Sequence, residues 1–260
     1  MAIDLYAGPL QRYFTRRWET AGAVHARQAG FEYKMVFQNG VDPLSLDDET
    51  AQAEVRDFAE RLKPFLKLAD SPCWHESFDS PYRSVQLTPQ GLSALVLWAA
   101  FLQRGDLERP KALPEDHYEE AAVAEAADKG YYMGPMATLE AHMIVPGPES
   151  AIVIAEDPIG RELFVTTGAA LDQAIEFLAP SLGLTSEKAQ AIVEDGPPST
   201  GIEMHPAERR WYEFYKPKWI EVEAPPLEDE VQAFAAYGLA AIIVMRDFAV
   251  AHNVPIVRDE

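Results

Sequence analysis

Residues 135–182 read PMATLEAHMIVPGPESAIVIAEDPIGRELFVTTGAALDQAIEFLAPSL, a close succession of strand signals that ends in a helix signal. Polar and apolar residues alternate over 138–145, as in a strand with one apolar face. Residues 151–155 and 162–166 predict two more strands, each preceded by turn residues. The stretch therefore predicts an antiparallel meander over about 136–167, followed by a helix with an apolar stripe.

The flanking sequence extends this prediction in both directions. Residues 31–38, FEYKMVFQ, also alternate and predict another strand of the same sheet. Thr88 and Pro89 form a strong helix start, and residues 227–252 predict a long terminal helix. We predict a single α+β domain over residues 1–260, in which helices cover an antiparallel sheet. The Pro-flanked segment at about 106–114 is a weak internal linker.

Side chains in the apolar runs and stripes of these elements are expected to fill the core. Leu95 lies within an apolar helix, and its replacement by Ala is expected to cost about 2–5 kcal/mol. The residues expected to be largely buried are Leu95, Trp98, Leu102, Ile152, Ile154, Phe177 and Ile242.

The chain is strongly acidic, with 42 Asp and Glu against 22 Lys and Arg and a formal net charge of −20. Nucleic-acid binding depends on Lys and Arg beside phosphates, so this charge argues against a nucleic-acid partner and suits a cationic protein partner. The alternative is that the net charge only keeps the protein dispersed in solution. The single cysteine excludes an internal disulfide framework, and the first residues lack a signal-peptide pattern. The apolar run 233–245 is too short to span a bilayer. We expect a cytoplasmic protein without a membrane partner.

Several standard catalytic motifs are missing from the sequence. It contains no G-x-G-x-x-G after a strand, no P-loop, no G-x-S-x-G, no H-E-x-x-H and no paired cysteines. These absences count against common dinucleotide, ATP, serine-hydrolase and zinc-protease functions. We expect no cofactor, and the sequence leaves open whether the protein is an enzyme.

The loop that contains Cys73, His75 and Glu76 is one candidate site. Its thiol, imidazole and carboxylate suit either metal coordination or a thiol activated by a base. No second Cys or His pair completes a set of four ligands, so we predict no metal site. The alternative is a buried Cys73 beside a hydrogen-bonded His75, and we predict that Cys73 has no catalytic role.

A second candidate is the polar row Thr138, Glu140 and His142 on the predicted strand. Residues two apart on one face of a strand stand about 7 Å apart, so Glu140 and His142 are close enough to share a proton through water or to orient a ligand. The alternative is the ordinary polar face of a half-exposed strand.

Two basic and aromatic segments, 12–18 and 209–219, form a third candidate. The second of them contains Arg209, Arg210 and Trp211. If the two segments meet in space, they would form a positive patch suited to a phosphate or a carboxylate. The alternative is structural packing, in which cations lie over aromatic rings.

The acidic segment 115–128 predicts a surface helix that begins with Glu115, Asp116, Glu119 and Glu120. Our leading hypothesis is an acidic binding protein that neutralises a basic partner, in the manner of an immunity protein. The alternative is a small-molecule-binding enzyme that uses Glu140 and His142 or the loop of Cys73, His75 and Glu76. An enzyme should gather such groups in a concave pocket, whereas a binding module should show a flat acidic patch with exposed aromatic residues.

Overall fold

The structure is a computed structural model that describes residues 3–28, 30, 45–67, 74–128, 134–199, 202–206, 219–223 and 226–259. The helices are α1 (Leu10–Phe14), α2 (Ala21–Gln28), α3 (Asp48–Leu66), α4 (Pro89–Gln103), α5 (Ala121–Asp128), α6 (Pro135–Leu139), α7 (Gly168–Leu182), α8 (Ser186–Asp195) and α9 (Glu230–His252), with a 3-10 turn at His117–Glu119. The strands are β1 (Asp4–Ala7), β2 (Arg83–Gln86), β3 (Met143–Val145), β4 (Ile152–Glu156), β5 (Glu162–Thr167), β6 (Ile202–Pro206), β7 (Trp219–Glu223) and β8 (Ile256–Asp259).

Six strands form one mixed sheet in the order β2-β1-β8-β3-β5-β4. Among the described strands of this sheet, only β3 and β5 pair in parallel, and the other neighbours are antiparallel. The strand β8, from the far end of the chain, lies between β1 and β3. The strands β6 and β7 form a separate antiparallel pair.

The predicted α+β class is confirmed, but the meander and the fully antiparallel sheet are wrong in detail. In the structure β5 separates β3 from β4, and β3 runs parallel to β5. The first part of the predicted strand is instead the helix α6, with Pro135 in its first turn. Proline suits that position because its fixed φ is helical and its missing N–H is not needed there. The predicted strand at 31–38 lies outside the described residues.

Helices pack on both faces of the sheet. Successive side chains of a strand point to opposite faces, and both faces of this sheet carry apolar residues. Leu5 and Ile256 belong to one buried cluster, whereas their neighbours Tyr6 and Val257 belong to the other. The first cluster contains the apolar sides of α4, α7 and α9, and the second contains those of α1 and α3. The covering of the sheet by the helix after Thr88 and by the C-terminal helix is therefore as predicted. The Thr88 side chain caps α4 by accepting from the Gly91 N–H at 2.9 Å.

The helices α4 and α9 cross at a glycine contact. A Cβ atom added to Gly238 would lie 2.6 Å from the carbonyl oxygen of Gly91. Among the described residues α9 is the one helix long and apolar enough to cross a membrane, yet 67% of its most apolar window is buried inside the protein. The helix α9 extends beyond the apolar run 233–245, on which the prediction about membrane spanning was based. It packs as a core helix of the protein.

The core prediction is confirmed for Leu95 and Ile242, which are buried. Trp98 and Ile152 are half-buried. Three residues are exposed instead, namely Leu102 (37%), Phe177 (37%) and Ile154 (61%). Ile154 belongs to β4, which lies at the edge of the six-stranded sheet in the described part of the chain. This uncovered apolar side chain becomes important for the candidate site.

The proposed linker at 106–114 is tied to the start of α9. Arg109 makes two hydrogen bonds to the Asp229 carboxylate, at 2.9 and 2.5 Å, and this contact lowers the pKa of Asp229. The Leu113 N–H donates to Glu230 at 2.9 Å. The division into domains stays a prediction.

Candidate functional site

A cleft of about 540 Å³ opens beside the outer part of the sheet. Its apolar wall comes from β4 and β5, where Ile154 and Phe164 lie opposite each other in register. Their side chains are 61% and 47% exposed, which is unusual for large apolar groups that adjoin each other. The remaining lining residues are Tyr118, Ala137, Glu140, His142, Ile152, Val153 and Arg258.

Glu140 and His142 reach the cleft through the short connection between α6 and β3. Glu140 is the residue that ends α6, and His142 comes just before β3. The His142 main chain joins two strands, because its N–H donates to Phe164 at 2.9 Å and its carbonyl accepts from Arg258 at 2.9 Å. These bonds fix the backbone of His142 beside the apolar wall.

The His142 side chain lies along Phe164. The two rings are nearly parallel, at 14°, with their centroids 6.0 Å apart. The Phe164 N–H donates to Nδ1 of His142 at 3.4 Å. The imidazole thus continues the aromatic surface of the apolar wall toward the polar end of the cleft.

Tyr118 and Glu140 form a hydrogen-bonded pair at that polar end. The Tyr118 hydroxyl donates to Oε1 of Glu140. Burial raises the pKa of the Glu140 carboxyl, while the bond from Tyr118 and the charge of Arg258 partly oppose this effect. Burial and the same bond raise the pKa of Tyr118 above its usual range. Glu140 is therefore a carboxyl group whose environment favours the proton-bound form more than water does.

Arg258 brings a positive charge to the same cleft from β8. It lies opposite Leu5 in the strand register and is half-buried. His142 and Arg258 also line a narrow apolar recess of about 20 Å³, room for about one water molecule. The cleft thus combines an acid, a phenol, an imidazole and a guanidinium with an apolar wall.

This arrangement can hold an amphipathic molecule and exchange a proton with it. A hydrogen-bonded carboxyl group with a raised pKa is a suitable general acid or base. Among the described residues, no group of three or more His, Cys, Asp or Glu side chains could hold a metal ion.

No protein-family model, curated protein or solved structure matches the chain. The geometry of the cleft is then the observation from which a function can be inferred.

Glu76 does not reach this cleft and has a structural position instead. Its carboxylate accepts from the N–H groups of Leu10 and Gln11 at 2.9 and 3.0 Å, at the start of α1, and from the Trp74 indole at 2.5 Å. Burial raises the pKa of Glu76 to about 7. His75 is exposed, and its backbone N–H donates to Asn253 at 2.8 Å. Cys73 lies outside the described residues.

The first basic and aromatic segment is used for packing. The Arg12 guanidinium lies 4.3 Å from the centre of the Tyr82 ring and donates to the carbonyl groups of Phe78 and Ser80 at 3.1 and 3.2 Å. Arg16 pairs with Asp259 at 3.1 Å. Arg12 thus holds the loop of Phe78 and Ser80 to α1, and Arg16, just after α1, is paired with a residue of β8. Both contacts are of the kind that the structural alternative describes. Arg209, Arg210 and Trp211 lie outside the described residues, so a meeting of the two segments stays a prediction.

The acidic segment is not one continuous helix. The 3-10 turn His117–Glu119 comes first, and α5 begins at Ala121. Asp116 caps the turn by accepting from the Tyr118 N–H at 2.9 Å, which stops the helix from extending toward Glu115. Glu119 is exposed and Glu120 is half-buried. Both follow Tyr118 in the chain, and neither lines the cleft.

Sequence reasoning missed Tyr118 and Arg258 as cleft residues. The sequence places Tyr118 in a predicted surface helix. No sequence pattern links it to Glu140, which lies 22 residues further along the chain. Arg258 belongs to a four-residue strand after Pro255, too short for a clear period of two. The one signal in the sequence was the charged Arg258 directly after the apolar residues Ile256 and Val257.

Proposed function

We propose that the protein binds a small amphipathic organic molecule in the cleft between Tyr118, Glu140, His142 and Arg258. The observation that carries this proposal is the convergence of these four polar groups on the exposed apolar pair Ile154 and Phe164. Polar groups that meet in a concave cleft are typical of a ligand site, whereas a protein-interaction surface is usually flat.

The size and lining of the cleft support the proposal. Small-molecule sites usually measure about 300–1,000 Å³ and combine apolar walls with a few polar groups. The cleft, at about 540 Å³, has this composition. Its Ile154 and Phe164 side chains would lose contact with water on ligand binding, which favours binding by about 25 cal/mol for each Å² buried.

The polar end supports acid–base chemistry as the reaction class. Glu140 is hydrogen-bonded to Tyr118 and has a raised pKa, so it can deliver or accept a proton at the end of a ligand that lies on Phe164.

The proposal can be tested with a panel of aromatic and aliphatic acids, amines, alcohols and amino acids. Ligands should raise the melting temperature of the wild-type protein and lose this effect in Ile154→Lys, because the charge enters the apolar wall. Phe65→Lys is the matched control, since Phe65 is 66% exposed on α3 and does not line the cleft. If no compound stabilises the wild type, or if Ile154→Lys responds as the control does, the proposal is wrong.

A second candidate function is the binding of a cationic protein. The observation that favours it is an acidic hollow of about 470 Å³ whose lining includes the exposed acids Asp48, Glu49 and Asp79. Charge attraction would speed association and weaken as salt rises. The immunity-type role and the cytoplasmic location stay predictions.

The test uses a lysine-rich peptide of about 20 residues and fluorescence anisotropy at low and physiological salt. Binding should weaken with salt and be lost in Glu49→Lys/Asp79→Lys. The variant Glu119→Lys/Glu120→Lys instead reverses the charge of the segment that follows Tyr118. If binding is lost in that second variant alone, the peptide binds at this segment and not at the acidic hollow. If the wild type does not bind the peptide at low salt, this function is excluded.

A further inference from the structure

Resting on the proposed function, we infer that the ligand of the cleft is an apolar α-amino acid, with its ammonium group at Glu140, its carboxylate at Arg258 and its side chain on Ile154 and Phe164. This assignment names the ligand class of the site proposed above.

The polar end of the cleft carries groups of opposite charge. Glu140 and Arg258 both line the cleft and both are half-buried. Arg258 is close enough to Glu140 for its charge to act on the carboxyl group. An apolar acid would place its carboxylate near Glu140, and an apolar amine would place its ammonium near Arg258. A zwitterion avoids both repulsions and gains both attractions.

The hydrogen-bonding groups at the polar end match those of an α-amino acid. An ammonium group has three N–H donors, and the Glu140 carboxyl group and the Tyr118 hydroxyl oxygen are acceptors for them. Arg258 lines the cleft, and a charged guanidinium N–H group can donate a strong hydrogen bond to a carboxylate oxygen. An α-amino group and an α-carboxylate are joined through one carbon, so a ligand of this class presents both charges at one end of its apolar part.

The apolar wall of the cleft suits an apolar side chain on the ligand. The exposed Ile154 and Phe164 lie opposite each other on neighbouring strands, and the His142 ring extends this surface. An aromatic side chain on the ligand can stack against Phe164 and cover Ile154. A small polar amino acid would leave this wall in contact with water, so the cleft should distinguish amino acids by their apolar area.

The experiment is isothermal titration calorimetry on the wild-type protein at neutral pH with four matched compounds. L-Phenylalanine carries all three groups, 3-phenylpropanoate lacks the ammonium, 2-phenylethylamine lacks the carboxylate, and L-serine lacks the apolar side chain. We expect L-phenylalanine to bind at least about tenfold more tightly than each of the other three, a difference of about 1.4 kcal/mol or more. This comparison needs no variant, so it does not depend on any substitution being tolerated by the fold.

Two variants then assign the charges. Glu140→Gln should weaken L-phenylalanine binding about tenfold while leaving 3-phenylpropanoate binding unchanged or stronger. Arg258→Gln should weaken L-phenylalanine binding similarly while leaving 2-phenylethylamine binding unchanged or stronger. Circular dichroism and urea unfolding of both variants show whether they are folded before they are titrated.

The outcomes separate this inference from the function on which it rests. One outcome is that a compound with one charge binds as tightly as L-phenylalanine, and that Ile154→Lys abolishes this binding. The cleft is then a ligand site, but the assignment of a zwitterionic ligand is wrong. If the melting-temperature panel finds ligands but L-phenylalanine does not bind, the inference alone is overturned. If neither experiment finds a ligand, both the inference and the proposed function are wrong.

Discussion

Glu76 couples the folding of the protein to pH. Its carboxylate accepts three hydrogen bonds around the start of α1, and burial raises its pKa from the ordinary value of 4.5 to about 7. The folded pKa lies above the unfolded one, so between pH 4.5 and 7 the folded protein binds the proton more tightly. The contribution of this group to stability is therefore fully present below about pH 4.5 and declines as pH rises through 7.

We predict that Glu76→Gln changes this pH dependence. The amide keeps one acceptor oxygen and cannot ionise, so the variant should be less stable than the wild type at pH 5, by about 1–3 kcal/mol for a lost buried partner. The difference should shrink by pH 8, because the wild type loses about 1.4 kcal/mol for each unit of raised pKa. The measurement is the free energy of unfolding by urea at pH 5, 6, 7 and 8.

The control for Glu76 is Asp79→Asn on the same loop. Asp79 is exposed, so its replacement should leave the slope of stability against pH close to that of the wild type. A difference between wild type and Glu76→Gln that stays constant from pH 5 to 8 would contradict the prediction.

The sequence predicted two of the four polar residues of the cleft, Glu140 and His142. Glu140 and His142 were singled out as a polar row on a strand, and the structure brings them to one cleft through a helix end and a loop instead. Tyr118 and Arg258 could not be predicted because their closeness depends on how distant parts of the chain pack. A single sequence contains no local pattern for such contacts.

The helix ends were predictable because their causes are local. Thr88 acts as a side-chain cap where the sequence predicted a helix start. The strands β2 and β8 were missed because four residues give too short a period. The pairing order of the sheet was wrong because it is set by packing between distant segments, whereas the sequence suggested neighbours in chain order.

We predict that Gly238→Ala destabilises the contact between α4 and α9. Alanine favours a helix over glycine by about 1 kcal/mol, but its Cβ would lie 2.6 Å from the Gly91 carbonyl oxygen and would force the helices apart. The expected net loss is about 1–3 kcal/mol, as for overpacking in other cores. Urea unfolding gives the value directly.

Gly105→Ala is the matched control, since nothing lies within 4 Å of the position that its Cβ would take. This substitution should change the free energy of unfolding by no more than about 0.5–1 kcal/mol. A Gly238→Ala variant as stable as the wild type would show that the two helices can separate without cost.

The net charge of −20 acts on the molecule as a whole. Folding brings the surplus carboxylates closer together, so their repulsion opposes the compact state. We predict that the melting temperature rises when NaCl is increased from about 10 mM to 150 mM, where the screening length falls from about 30 to 8 Å.

The control carries Glu115→Lys and Glu119→Lys, which replace two exposed acids and reduce the surplus charge. Its melting temperature should rise less over the same range of salt. An equal rise in both proteins would assign the effect to something other than the net charge.

During synthesis, the two halves of the main sheet remain apart until β8 has been made. The strands β2 and β1 come from residues 4–86, and β3, β4 and β5 from 143–167; in the described sheet only β8 joins the two groups. Ribosomes add about 5–20 residues per second, so a nascent chain carries two unjoined half-sheets for about 5–18 seconds after β5 is complete. In that interval the open edges of β1 and β3 can pair with other chains, and the protein should depend on chaperones while it is being made.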